Sequence, residues 1–170
     1  MVGGSTYALL PLGVGRVHAI YIAEAAKAPM RPVPEVRVLA GLGLEGDRYA
    51  SGTGAFSRWP GSGRAVTLIE REAVEAVLRE TGIDLTAGQS RRNIFTDGVD
   101  LAALNGKPFR IGTAVLRGAR LCAPCKYLER LAGPGVFEAL RGRGGLRADV
   151  VEPGLIRVGD PVEVVRVGSR

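Results

Sequence analysis

LRADVVEPGLIRVGDPVEVVRV, residues 146–167, decides the fold class. Its runs LRADVV, LIRVG and PVEVVRV are short and rich in β-branched residues, and Glu-Pro-Gly and Gly-Asp turn signals separate them. Such punctuation predicts short strands joined by tight turns. Working back along the chain, more of the same appears: 14–22 (VGRVHAIYI), 36–39, 65–69 (AVTLI), 91–96 (RRNIFT), PFRIG and AVLRGARL read as strands. Leu104-Asn105-Gly106-Lys107 carries the Asn-Gly pair that favours a type I′ hairpin turn. About eight short strands against two or three helices imply a mainly β, barrel-like fold with mixed or antiparallel strands and a few peripheral α-helices. A doubly wound sheet would need strands alternating with long helices.

The helices are few. EREAVEAVLRETG places Ala73, Val74, Val77 and Leu78 at helical spacing and ends on Gly82. CAPCKYLERLAG and VFEALRG supply two shorter helical segments. Residues 1–11 read as a loose leader, and 12–170 as a single domain. The 25 glycines and 10 prolines fit frequent turns. Ser51–Gly63 is the least regular interior stretch, a candidate flap over a site.

The net charge is +6, and lysine occurs only at 27, 107 and 126, so arginine supplies nearly all of the 23 basic residues. The arginines are scattered, with no dense basic run and no aromatic-studded stripe, which argues against a nucleic-acid partner. Arginine suits bidentate binding of small anions. MVGGSTYALLPLGVGRV lacks the charged and apolar regions of a signal peptide, and no apolar run spans a bilayer, so a cytoplasmic protein without membrane contact is expected. There Cys122 and Cys125, the 2 cysteines, stay reduced.

Cys122-Ala-Pro-Cys125 stands at the entry to a helix, with Pro124 suited to the first turn. Free backbone N–H groups and nearby Lys126 would favour a thiolate at Cys125. Structural zinc needs more ligands than two cysteines and the distant His18 provide. Thiol–disulfide exchange would use both cysteines. Sulfur transfer or soft-metal ligation needs Cys125 alone. Gly41-Leu-Gly-Leu-Glu-Gly46 matches a dinucleotide fingerprint formally, yet no helix follows it. The alternatives there are a loop that points Arg48 at a ligand or a turn pinned by Asp47 and Arg48. In a strand from Arg91, alternation puts Arg91 and Asn93 on one face and Arg92 on the other. Arg141, Arg143 and Arg147 read better as a solvated turn than as a phosphate loop.

Four blocks together resemble the MOSC family, named for the C-terminal domain of molybdenum cofactor sulfurases: GLGLEGDRYA at 41–50, QSRRNIFTDGVDLAALNGKPFRIG at 89–112, LCAPCKYLE at 121–129 and GRGGLRADVVEPGLIRVGDPVEV at 142–164. The resemblance covers nearly the whole chain. It implies a β-barrel-like fold and Cys125 as the functional, catalytic or metal-ligating cysteine. It implies that Cys125 either ligates the molybdenum of a pterin cofactor or carries sulfur as a persulfide. Arg48, Arg91, Arg92, Asn93 and Lys126 are then candidates to hold the anionic pterin. Related enzymes reduce N-hydroxylated compounds with electrons from a partner, and sulfurases add a pyridoxal-phosphate desulfurase domain that has no counterpart here. A cysteine desulfurase or an electron-donor protein is the expected partner. Outside the family stand a thiol–disulfide oxidoreductase and a non-catalytic anion-binding module.

Overall fold

The structure, a computed structural model, describes residues 7–9, 15–59 and 61–167. Twelve strands run in chain order: β1 (Tyr7–Leu9), β2 (Gly15–Ile22), β3 (Arg31–Val33), β4 (Glu35–Leu39), β5 (Gly43–Leu44), β6 (Val66–Glu70), β7 (Ile94–Asp97), β8 (Pro108–Ile111), β9 (Ala114–Leu121), β10 (Leu146–Glu152), β11 (Gly154–Arg157) and β12 (Pro161–Val167). The helices are α1 (Arg71–Thr81), α2 (Lys126–Ala132) and α3 (Val136–Ala139), with a 3-10 turn at Ala102–Leu104.

The main sheet runs β1-β12-β8-β9-β10-β6-β7-β2-β3, and an additional β12–β2 pairing closes β12 through β2 into a barrel of 7 strands. Closure removes exposed sheet edges. A smaller sheet, β11-β4-β5, forms beside it. Every pairing is antiparallel except β6–β7, which is parallel. A parallel pair needs a crossover, and α1 supplies it.

The barrel interior is aliphatic, built from Val17, Ile20, Val66, Leu68, Ile94, Phe109, Leu116, Leu146 and neighbours. In β2, Val17 and Ile20 are both buried although three apart, because a register shift between Val17 and Ala19 resets the alternation. A second core lies outside the barrel. Ile69 and Phe95, the neighbours of inward Leu68 and Ile94, pack there against Val74, Val77, Leu128, Val136 and Leu140 of the helical segments. Burial on both faces explains why β6 and β7 show no apolar–polar alternation, Thr67 and Thr96 being buried along with their apolar neighbours.

The mainly β barrel with peripheral helices is as the sequence implies, with corrections at particular elements. Strand β7 begins at Ile94, not Arg91. Asn105 (φ −60°, ψ 129°) and Gly106 (φ 74°) follow the 3-10 turn in type II fashion, with Lys107 N donating to Leu104 O. The tight hairpin turn is instead Gly112-Thr113, between paired Ile111 and Ala114. Helix α2 begins at Lys126, so Pro124 lies just before it rather than in its first turn. Of residues 1–11, Tyr7–Leu9 pair with Val165–Val167 of β12, and the others lie outside the described residues. No described helix is long and apolar enough to cross a membrane.

Candidate functional site

Cys125 sits where β9 gives way to α2. Cys122 N donates to Gly145 O at 2.7 Å, which holds the connecting segment against the start of β10. The 142–145 loop crosses this segment so closely that a Cβ at Gly144 would lie 2.0 Å from Cys122 O. Glycine is therefore required there. Cys125 has extended backbone (φ −137°, ψ 163°) and occupies the N-cap of α2, its Sγ accepting from Leu128 N at 3.4 Å. Sulfur thus takes the place of a capping oxygen, among N–H groups that favour negative charge.

Cys125 is half-buried and borders a small cavity with an accessible void of about 40 Å³. Arg48, Arg91, Arg92 and Arg147 line it, with Tyr49, Phe56, Thr67 and Tyr127, and no carboxylate does. Arg92 is 6% exposed. Its Nε donates to Gly144 O at 2.9 Å and its Nη1 to Ser90 O at 3.2 Å, while buried Nη2 has no partner. Burial pushes both Arg92 and Arg91 below the ordinary guanidinium value, and for Arg91 the neighbouring Arg48 adds to it. Arg91 holds a positive φ of 62°, and its guanidinium donates to Ala28 O and Ala26 O. Tyr127 Oη also donates to Ala26 O, at 3.2 Å.

One buried carboxylate organises the far wall. Asp47 Oδ1 accepts from Ala23 N, Arg48 Nη1 and Asn93 Nδ2 at 3.1, 3.1 and 3.3 Å. Arg48 Nη2 then donates to Arg91 O at 3.2 Å. The 41–48 loop is a turn pinned by Asp47 and Arg48, and Arg48 also lines the cavity.

Of the residues singled out in the sequence, the structure gathers Cys125, Arg48, Arg91 and Arg92. The strand-face assignment is overturned: Arg91 lies before β7 in the left-handed region, and Arg91 and Arg92 both border the cavity. Asn93 is interior, its Oδ1 accepting from Thr67 N and Oγ1 and its Nδ2 donating to Tyr21 O. It braces the wall rather than lining it. Lys126 is also misplaced as a ligand contact; it is exposed, pairs with Glu129 at 3.2 Å and lies over Phe137. Arg147 was missed. Its neighbours Leu146 and Ala148 belong to the barrel core, so strand alternation already turned Arg147 the other way. In contrast, Arg141 and Arg143 pair with Glu138 and Glu80. The Ser51–Gly63 segment contributes Ala55 and Phe56 to the cavity, with Phe56 packed edge-on to Tyr127 at 5.9 Å.

Cys122 is 1% exposed and borders a different, larger cavity of about 520 Å³. Among the described residues no three His, Cys, Asp or Glu side chains converge as metal ligands. Cys125 can therefore offer a metal one soft donor, and the remaining donors must arrive with the metal.

Barrel and site together define a small β-barrel domain built around one cysteine at a cationic cavity. The chain belongs to the MOSC domain family, whose profile matches residues 51–163. Three solved structures share the fold. The YUAD protein from Bacillus subtilis superposes with a TM-score of 0.72 at 18% identity, covering 96% of this chain and 100% of that one. YiiM from Geobacillus stearothermophilus gives 0.68 at 19%, covering 89% and 75%. YiiM from Escherichia coli gives 0.66 at 24%, covering 91% and 72%. No curated protein matches the sequence.

Proposed function

We propose that Cys125 is a soft thiolate donor to the molybdenum of a pterin cofactor, whose negative charge Arg48, Arg91, Arg92 and Arg147 balance. The observation that carries this reading is Arg92: a buried guanidinium with a vacant donor, in a cavity lined by three further guanidiniums and no carboxylate. A buried cation without a partner is costly, so the site is built for an anion. Thiolate and guanidinium donors fit the group chemically: sulfur suits a soft metal, and the planar fork suits phosphate. When bound, molybdenum supplies two-electron chemistry of the kind that reduces N-hydroxylated compounds, with electrons drawn from a donor protein. This chain's residues orient the ligand and screen its charge.

A second reading makes Cys125 a persulfide carrier supplied by a cysteine desulfurase. The size of the void favours it. A site for one water needs roughly 10–15 Å³ of accessible volume, so about 40 Å³ leaves room for an added sulfur atom on Cys125.

Metal analysis by mass spectrometry, on wild type and Cys125→Ser from a host that makes the cofactor, tests both readings alongside cyanolysis for sulfane sulfur. Molybdenum near stoichiometry in wild type and background in the variant supports ligation. Cyanide-labile sulfur without molybdenum supports the carrier. Neither, in folded protein, sinks both and leaves a thiol–disulfide enzyme or a non-catalytic anion-binding module.

A further inference from the structure

The Cys125 cavity contains its own excess of positive charge before any cofactor arrives. Arg92 is more than nine-tenths buried, its Nη2 points to no acceptor, and its other two nitrogens are taken by main-chain carbonyls. Arg48 has Asp47, and Arg91 has two carbonyls, but Arg147 makes only a 3.4 Å contact to Gly63 O. Arg92 and Arg147 therefore line the same void with no carboxylate beside them. A guanidinium cannot lose its proton in a protein to relieve this. An anion relieves it together with the Cys125 sulfur, and the small accessible volume favours a compact one.

We propose that this cavity binds a small monovalent inorganic anion, held between the guanidiniums of Arg92 and Arg147 beside the Cys125 sulfur. The inference rests on the reading of this cavity as the working site, but not on molybdenum. The bound anion keeps the guanidiniums apart while the site is otherwise empty. It leaves when Cys125 takes up its metal or sulfur, because both require the same charge and the same space. Inorganic anions of this size thus compete with loading.

Chloride is the probe, with the far bulkier gluconate holding ionic strength constant. Two readouts apply, both in a Cys122→Ser background: broadening of the chloride-35 resonance, and the rate of Cys125 alkylation by iodoacetamide. Chloride at ten times its Kd is expected to slow alkylation about tenfold, by simple occupancy. Protection should persist in Arg92→Lys and vanish in Arg92→Met. Equal rates in chloride and gluconate overturn the proposal, and this comparison needs no arginine variant. Undiminished protection in Arg92→Met overturns it too. Chloride binding in protein that never acquires molybdenum would leave the anion site standing and remove the cofactor reading; the reverse pattern would do the opposite.

Discussion

Cys122 and Cys125 flank the same dipeptide, yet they border cavities of opposite character. The larger, about 520 Å³, is walled by Leu101, Leu121, Pro124 and Phe137, and its arginines, 141 and 143, already pair with Glu138 and Glu80. The smaller, about 40 Å³, has four arginines and no carboxylate in its wall. Volume alone would choose the first as the active cavity. Charge that has not been neutralised chooses the second, because a fold maintains buried, unpaired cations only at a cost. The comparison teaches that a site is better recognised by its unsatisfied groups than by its size.

The largest effect should come from removing the one carboxylate that steadies the small cavity. Asp47→Ala leaves Arg48 buried without its carboxylate and removes the acceptor of Ala23 N, and it should cost about 3–5 kcal/mol in urea unfolding. A loss near zero would show that the wall does not depend on Asp47. Next, Cys125→Ser should lower bound molybdenum or sulfane sulfur by more than about tenfold, since even outer-shell changes cost metal sites 10–100-fold. Cys122→Ser sharpens the contrast. It should leave that occupancy intact while placing a hydroxyl in an apolar setting at about 1–3 kcal/mol. Occupancy that falls equally in both variants would restore a paired-cysteine chemistry. Ala123→Phe, which fills the larger cavity from an exposed position, should leave occupancy unchanged; a collapse would show that the larger cavity feeds Cys125.

The smallest effect lies away from both cavities. For Asp97, burial works to raise the carboxyl, but hydrogen bonds from Arg71 and the charge of His18 outweigh it and hold the group below its ordinary value of 3.8. A depressed carboxylate adds stability above its unfolded value and loses it as pH falls through the folded one. Asp97→Asn should thus lower stability at neutral pH by about 1 kcal/mol or less for so exposed a cluster, read as a fall in Tm that shrinks as pH drops below 3.8. Equal losses at both pH values would assign the effect to packing.

Much of the barrel was legible because its signals are local. Runs of β-branched residues bounded by turn signals gave β2 and β10, and Gly82 marked the end of α1, where its φ of 76° and bond to Leu78 O make the expected cap. Cys125 was legible for the same reason, its spacing from Pro124 and the following helix being a local pattern. What sequence could not supply was direction in space. Arg91 adopts a left-handed backbone that no strand pattern predicts, so it joins Arg92 while Asn93 turns inward. Lys126 neighbours Cys125 in the chain but points away, and Arg147 is distant in the chain but arrives on β10. Cavity walls are assembled by tertiary pairing, here β10 with β6 and β6 with β7.

The β12–β2 seam has a consequence for how the molecule is made. Arg16 pairs with Pro161, so the barrel cannot close on a ribosome until its last strand has emerged. The strands carrying the cysteine cavity, β10, β6 and β7, lie in the middle of the sheet order, away from that seam. They can pair while β2 still waits for its partner, which makes ring closure the late, long-loop step of folding.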